Sequence, residues 1–65
     1  GDGEAWYFAY NMNSIRETFA LPCLPKKSVW KVYLDTAEVH PKDAETEDGK
    51  ISLERHSIVL LCGKY

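Results

Sequence analysis

The chain has little cysteine: Cys23 and Cys62 are the only two among 65 residues. Small secreted domains built on disulfides usually carry four or more, so that class is excluded. Two free thiols are favoured over one bridge, and a cytoplasmic over a secreted location. Long apolar runs are also missing. No segment approaches the roughly 20 residues of a membrane-spanning helix, and the opening residues lack a signal-peptide pattern.

Neither sign of charge dominates the sequence. Eight lysines and arginines stand against ten acidic residues, for a formal net charge of −2. Nucleic acids and anionic membrane surfaces attract basic patches, so this balance predicts neither of them as a partner. Gly1 and Gly3 are too few to form a loop that cradles a phosphate, so no nucleotide cofactor is expected.

Catalytic and metal-binding patterns are missing from the sequence as well. No serine lies in a nucleophile elbow, and the acidic residues cluster in a polar segment typical of a solvated loop. Asp35, which precedes Thr36, is expected to cap a turn. The His and Cys residues lack the short spacing of a structural zinc site. They are Cys23, His40, His56 and Cys62. We therefore predict no catalytic residue, no metal site and no cofactor.

What the chain does contain is strand-forming sequence. Hydrophobic residues make up 45% and aromatic residues 12% of the chain, a mixture that favours a folded domain rich in strands. Residues 1–65 suffice for one domain with a small core. Alternation of apolar and polar residues predicts about five antiparallel strands. They span 5–11, 15–21, 29–35, 50–53 and 57–62. The predicted fold class is all-β, a small antiparallel β-sandwich or sheet.

The pairing of these strands is predicted from their apolar faces and turns. Strands 5–11 and 57–62 are apolar on both faces, so each is expected to be central in its sheet or covered by another layer. The first two strands are expected to form a hairpin. A capping box from Ser14 to Glu17 offers a short helix instead, but Pro22 would leave it barely two turns.

The later segments divide into core-facing strands and polar connections. Residues 26–28 are expected to form a solvated turn. Residues 36–49 are expected to form a long, mobile surface loop that ends in an Asp-Gly hairpin turn. The residues of the third and fourth strands that are expected to face the core are Trp30, Val32, Leu34, Ile51 and Leu53.

The aromatic rings are the strongest remaining signal. Trp6 and Trp30 lie on strands with clear core periodicity and are expected in the core. Tyr7 and Tyr33 fall on the opposite faces of the same strands, where we expect an outer patch. Such a patch covers a neighbouring domain or stacks on a sugar, whose C–H face suits an apolar ring with a polar rim. The candidate domain-interface or carbohydrate-binding residues are therefore Tyr7, Tyr33 and Trp30.

Four segments in a fixed order carry a resemblance to a known family. They are WYFAYNMN at 6–13, FALPCLP at 19–25, WKVYLDT at 30–36 and RHSIVL at 55–60. Together they resemble the tail of bacterial glycogen-debranching, isoamylase and pullulanase enzymes of the α-amylase superfamily. In that tail an apolar strand ends in Asn, and a Leu-Pro-x-Leu-Pro segment and then Trp-x-x-x-x-Asp-Thr follow. A closing strand opens with Ser.

The resemblance implies both a fold and a role. The family's C-terminal domain is an antiparallel β-sandwich packed on a catalytic (β/α)8 barrel, which holds the catalytic carboxylates, so none carries over. Further strands precede the one at Trp6 in the family, which implies a truncated Greek-key sandwich belonging to a larger enzyme. The implied function is a non-catalytic accessory domain of an α-glucan debranching glycoside hydrolase, with the barrel of the same parent chain as its partner. Two alternatives stay open: a carbohydrate-binding module for α-glucan, and a protein-interaction domain that uses the acidic loop.

Overall fold

The fold is all-β, as the alternation predicts. A computed structural model describes residues 3–25 and 28–65, so the turn predicted at Lys26 and Lys27 lies outside the described residues. Its strands are β1 (Glu4–Asn11), β2 (Glu17–Ala20), β3 (Trp30–Asp35), β4 (Lys50–Leu53) and β5 (Ser57–Lys64). Among the described residues, no helix has the length and apolar character needed to cross a membrane.

The strands form two antiparallel sheets, one in the order β1-β5-β3 and one of β2 paired with β4. β5 is central, as predicted, but β1 lies at an edge, so the expectation that it is central is wrong. The predicted hairpin between the first two strands is also wrong, because β1 pairs with β5 and β2 pairs with β4. The chain therefore crosses from one sheet to the other between β1 and β2.

Asn11 explains why the chain leaves the first sheet at that point. Its side-chain amide is buried and donates hydrogen bonds to the carbonyl oxygens of Ile15 at 2.8 Å, Leu53 at 3.1 Å and Glu54 at 3.1 Å. Its Oδ1 accepts a hydrogen bond from the Asn13 main-chain N–H at 3.0 Å. A buried amide costs free energy unless its polar atoms are paired, so these bonds hold the crossing in place.

The core lies between the two sheets. Ile51 and Leu53 point inward from β4, as predicted, and both are buried. Trp30 is buried too, and its indole N–H donates to the Pro22 carbonyl at 2.8 Å. The buried apolar cluster consists of Ala9, Leu21, Trp30, Val32, Ile51, Leu53, Val59 and Leu61. Each fully buried leucine or valine contributes about 1.5–3 kcal/mol relative to an exposed one, so this cluster stabilises the sandwich.

A β-bulge in β3 changes the phase of its alternation. The register with β5 shifts between Val32 and Leu34, so Tyr33 is the extra residue. Leu34 is 58% exposed and Asp35 is buried, which corrects the prediction that Leu34 faces the core. The Asp35 carboxylate accepts three main-chain hydrogen bonds, which confirms its predicted turn-capping role. Their donors are the N–H groups of Ala37, Val39 and His40.

The two outer edges of the three-stranded sheet differ. Residues 43–46 line the β3 edge, where Val32 N–H donates to the Ala44 carbonyl at 2.9 Å and Thr46 N–H donates to the Trp30 carbonyl at 3.0 Å. The predicted loop 36–49 is therefore partly a strand-like cover. It ends, as predicted, in an Asp-Gly turn, with positive φ at Asp48 and Gly49.

The β1 edge has no such cover. Gly3 and Tyr65 exchange both main-chain hydrogen bonds, at 2.9 and 3.0 Å. Antiparallel pairs alternate, so the odd-numbered residues of β1 bond to β5 and the even-numbered ones turn their main-chain groups outward. Among the described residues nothing pairs with those outward groups, and β1 offers a long apolar edge for a further strand.

Candidate functional site

The candidate site is the side of the three-stranded sheet that faces away from β2 and β4, which we call the outer face. Its most exposed apolar members are Trp6 (47%), Phe8 (55%), Tyr10 (52%), Tyr33 (48%) and Leu34 (58%). Ile58, Leu60 and Cys62 lie between them on β5 and are half-buried. Exposed apolar side chains on neighbouring strands make the outer face the candidate interaction surface of this domain.

Strand alternation places these rings outside. Successive side chains of a strand point to opposite faces, so Trp6, Phe8 and Tyr10 share one side of β1. The other side carries Tyr7 and Ala9, which pack toward the core. Ala9 is buried and Tyr7 is half-buried, so this side of β1 is the inner one.

The half of the outer face around Phe8 is apolar, and we call it the apolar half. The register aligns Phe8, Leu60 and Leu34 in one row across the sheet, and Tyr10 with Ile58 in the next. The rings of Phe8 and Tyr10 are stacked, with their centroids 6.1 Å apart and an interplanar angle of 24°. None of these five side chains carries a charge.

The other half of the outer face forms a groove of about 710 Å³, and we call it the grooved half. The rings of Trp6 and Tyr33 line it and stand at 84° to each other, with their centroids 5.2 Å apart. The Trp6 indole N–H donates to the Glu4 carboxylate at 3.0 Å. The Lys42 ammonium lies 5.1 Å from the centre of the Tyr33 ring, a cation–π contact.

Charged side chains of both signs surround these two rings. The acidic ones are Glu4, Asp43 and Glu45, and the basic ones are Lys31, Lys42 and Lys64. Three negative and three positive groups give the groove lining a formal charge of zero. Among residues 3–25 and 28–65 none of the six is in a salt bridge, since the ion pair found there joins Arg16 to Glu54.

Of the three residues predicted for the aromatic patch, two lie toward the core and one lies on the outer face. Tyr33 lies on the outer face, as expected. Tyr7 is instead half-buried against the core, with its ring 6.0 Å from that of Trp30. Trp30 is only 5% exposed, which confirms its predicted core position and removes it from any surface patch. Trp6, predicted in the core, is outside. Ala9 lies on the same side of β1 as Tyr7, and its small side chain was the feature of the sequence that could have identified this side as the inner one.

The cysteines and histidines, all of them among the described residues, form no cluster on the outer face, and among them only Cys62 lies there. Cys23 is exposed and Cys62 half-buried, and both are free thiols. The His40 ring nitrogen Nε2 lies 2.6 Å from the Ser52 carbonyl oxygen, while His56 has a positive φ in the turn before β5. In the part of the chain that the structure describes, no group of three or more His, Cys, Asp or Glu side chains converges as a metal site.

Comparison with known proteins adds no family to this description. No family model, no curated protein and no solved structure matches the chain. The resemblance to debranching enzymes therefore stays a prediction, and the geometry of the outer face is the basis for inferring a function.

Proposed function

We propose that this chain is a non-catalytic accessory domain that packs the apolar half of its outer face onto a larger protein body. The observation that carries the proposal is the exposure of Phe8, Tyr10 and Leu34, each more than half exposed on a well-formed sheet. The resemblance supplies the identity of the larger body. It is the catalytic (β/α)8 barrel of an α-glucan debranching glycoside hydrolase.

The energetics support a docking role for the apolar half. A large aromatic side chain buries roughly 150–250 Å² when fully covered, so covering the exposed half of one ring contributes about 2–3 kcal/mol at about 25 cal/mol/Å². Several such residues in adjacent rows offset the entropy lost when two folded domains are held together. Leaving the same residues in water forfeits that gain and invites self-association.

The uncovered edge of β1 supports the same proposal. The resemblance implies further strands before the one at Trp6, and those strands need an edge to pair with. The even-numbered residues of β1 present unpaired main-chain groups on that side among the described residues. In this proposal the sandwich stabilises the barrel and shields its apolar surface, and the barrel's carboxylates carry out the hydrolysis.

The gene offers the first test. The proposal predicts that the reading frame upstream of the codon for Gly1 encodes more of the sandwich and, before it, a barrel. A start codon directly before the codon for Gly1 would contradict the proposal. The second test mixes the 65-residue chain with the separately purified barrel and follows thermal unfolding of the mixture.

We expect the chain to raise the melting temperature of the barrel by several degrees through mass-action stabilisation. The double variant Phe8→Thr/Tyr10→Thr is expected to abolish this rise, because it removes two rings of the apolar half while keeping strand-forming residues. Ile15→Thr is the matched control, since Ile15 is 65% exposed but lies outside the outer face. A rise that the double variant leaves unchanged would place the contact elsewhere.

A further inference from the structure

The grooved half differs from the apolar half in the kind of ligand it suits. Both halves display exposed rings, but the grooved half surrounds Trp6 and Tyr33 with six charged side chains. A flat apolar partner would bury those charges, and burying unpaired charges is costly. The grooved half therefore suits a ligand that brings its own hydrogen-bonding groups.

The charge of the groove lining narrows the class of ligand. Three carboxylates and three ammonium groups cancel, so neither an anion nor a cation is attracted by net charge. Carboxylates accept hydrogen bonds and ammonium groups donate them. A neutral ligand with many hydroxyl groups, each of which donates and accepts, satisfies both kinds of partner.

The shape of the groove favours a carbohydrate over an extended peptide. Peptides often bind by adding a strand to a free sheet edge. The edge on the Lys42 side of the groove is already paired, because residues 43–46 hydrogen-bond to β3. The β1 edge is free among the described residues, and the proposed function assigns it to further strands of the same domain. The volume of about 710 Å³ lies within the usual range for small-ligand sites and accommodates a short oligosaccharide.

We infer that the grooved half binds a short neutral oligosaccharide, with the Trp6 ring as the stacking platform. Trp6 is 47% exposed, and its indole is held by the hydrogen bond to Glu4. Lys42 lies against the Tyr33 ring, which leaves Trp6 as the ring better placed to receive the apolar face of a sugar. The choice of an α-glucan among neutral oligosaccharides rests on the proposed function, whereas the class itself rests on the groove alone.

The test is a titration of the full chain with maltoheptaose, followed through the indole N–H signals in ¹H–¹⁵N NMR spectra. The two tryptophans provide an internal comparison, because Trp6 is 47% exposed and Trp30 is 5% exposed. We expect the Trp6 signal to move and saturate at millimolar sugar while the Trp30 signal stays in place. A parallel titration with cellohexaose, which has β-linkages, tests the choice of α-glucan.

Variants locate the binding site. Trp6→Thr is expected to weaken maltoheptaose binding by about tenfold or more, measured by the remaining backbone amide shifts. Ile15→Thr is expected to leave it unchanged. Circular dichroism spectra of each variant verify that the fold is retained, so that a loss of binding by Trp6→Thr reports on the groove.

Each outcome bears on the proposal. Saturable shifts centred on Trp6 with maltoheptaose alone support the inference and its α-glucan assignment. Binding of cellohexaose alone supports the groove but overturns the α-glucan assignment and weakens the proposed function. Absence of shifts with both sugars, or shifts that Trp6→Thr leaves intact, overturns the inference. The docking of the apolar half onto a barrel is measured separately and survives that result.

Discussion

The two faces of the three-stranded sheet differ in their aromatic content, and on β1 more of the rings lie on the outer face than on the inner one. Along β1 the inner face carries Tyr7 and Ala9, while the outer face carries the rings of Trp6, Phe8 and Tyr10. Aromatic rings contribute much of the packing energy of protein cores and interfaces. Here most of those on β1 lie outside, which agrees with the proposed docking of the outer face onto a partner. The comparison separates residues that hold this fold together from residues available to a partner.

The largest expected effect compares two neighbouring leucines of β5. Leu61 is fully buried on the inner face, and Leu60 is half-buried on the outer face. Leu61→Ala is expected to lower the free energy of unfolding by about 3–5 kcal/mol because it leaves a cavity between the sheets. Leu60→Ala is expected to cost about 1 kcal/mol, since its site opens to solvent. Urea unfolding measures both, and equal losses would contradict the assignment of faces.

The second comparison sets a buried amide against an exposed one. Asn11→Ala leaves three carbonyl oxygens without their donor and is expected to cost about 2–3 kcal/mol of unfolding free energy. Asn13→Ala removes an exposed bond to the Glu17 carboxylate and is expected to cost less than about 1 kcal/mol. Similar values for the two variants would mean that Asn11 does not anchor the crossing between sheets.

The third comparison tests the bulge in β3. Asp35→Ala leaves three main-chain N–H groups in the turn after β3 without their acceptor. It is expected to lower the free energy of unfolding by about 2 kcal/mol. Leu34→Thr is expected to change stability by no more than about 0.5 kcal/mol, because Leu34 lies on the outer face. A large loss of unfolding free energy with Leu34→Thr would show instead that β3 has no bulge and that Leu34 faces the core, as the alternation of the sequence predicts. Chemical denaturation of each variant gives the numbers.

The smallest effect on stability is expected for the outer rings. Phe8→Thr/Tyr10→Thr is expected to change the free energy of unfolding by less than about 1 kcal/mol, because both rings are more than half exposed and threonine keeps strand propensity. The same variant is expected to reduce self-association in sedimentation velocity and binding of an apolar dye. Unfolding of the variant would show that the isolated domain depends on its outer face.

Several features were predictable from local pattern. Alternation located the strands, and the Asp-Gly pair located the turn before Lys50. The doubly apolar run of β5 predicted its central position correctly. The same argument failed for β1, because a strand with two apolar faces can also lie at the edge of a sheet with one of those faces exposed. The outer-face position predicted for Tyr33 is confirmed, whereas Trp6 lies on the outer face and Tyr7 toward the core, the reverse of the prediction.

The sequence by itself determined that this chain is a set of short strands, of which the first and the last are apolar on both faces. Only the tertiary structure decided which face turns inward and which strands pair. Those choices depend on partners distant in the chain: Asn11 meets Leu53 across 42 positions, and β1 meets β5 rather than its neighbour β2. A period of two residues is the same for either face, so the long-range strand pairing and the bulge at Tyr33 select one arrangement.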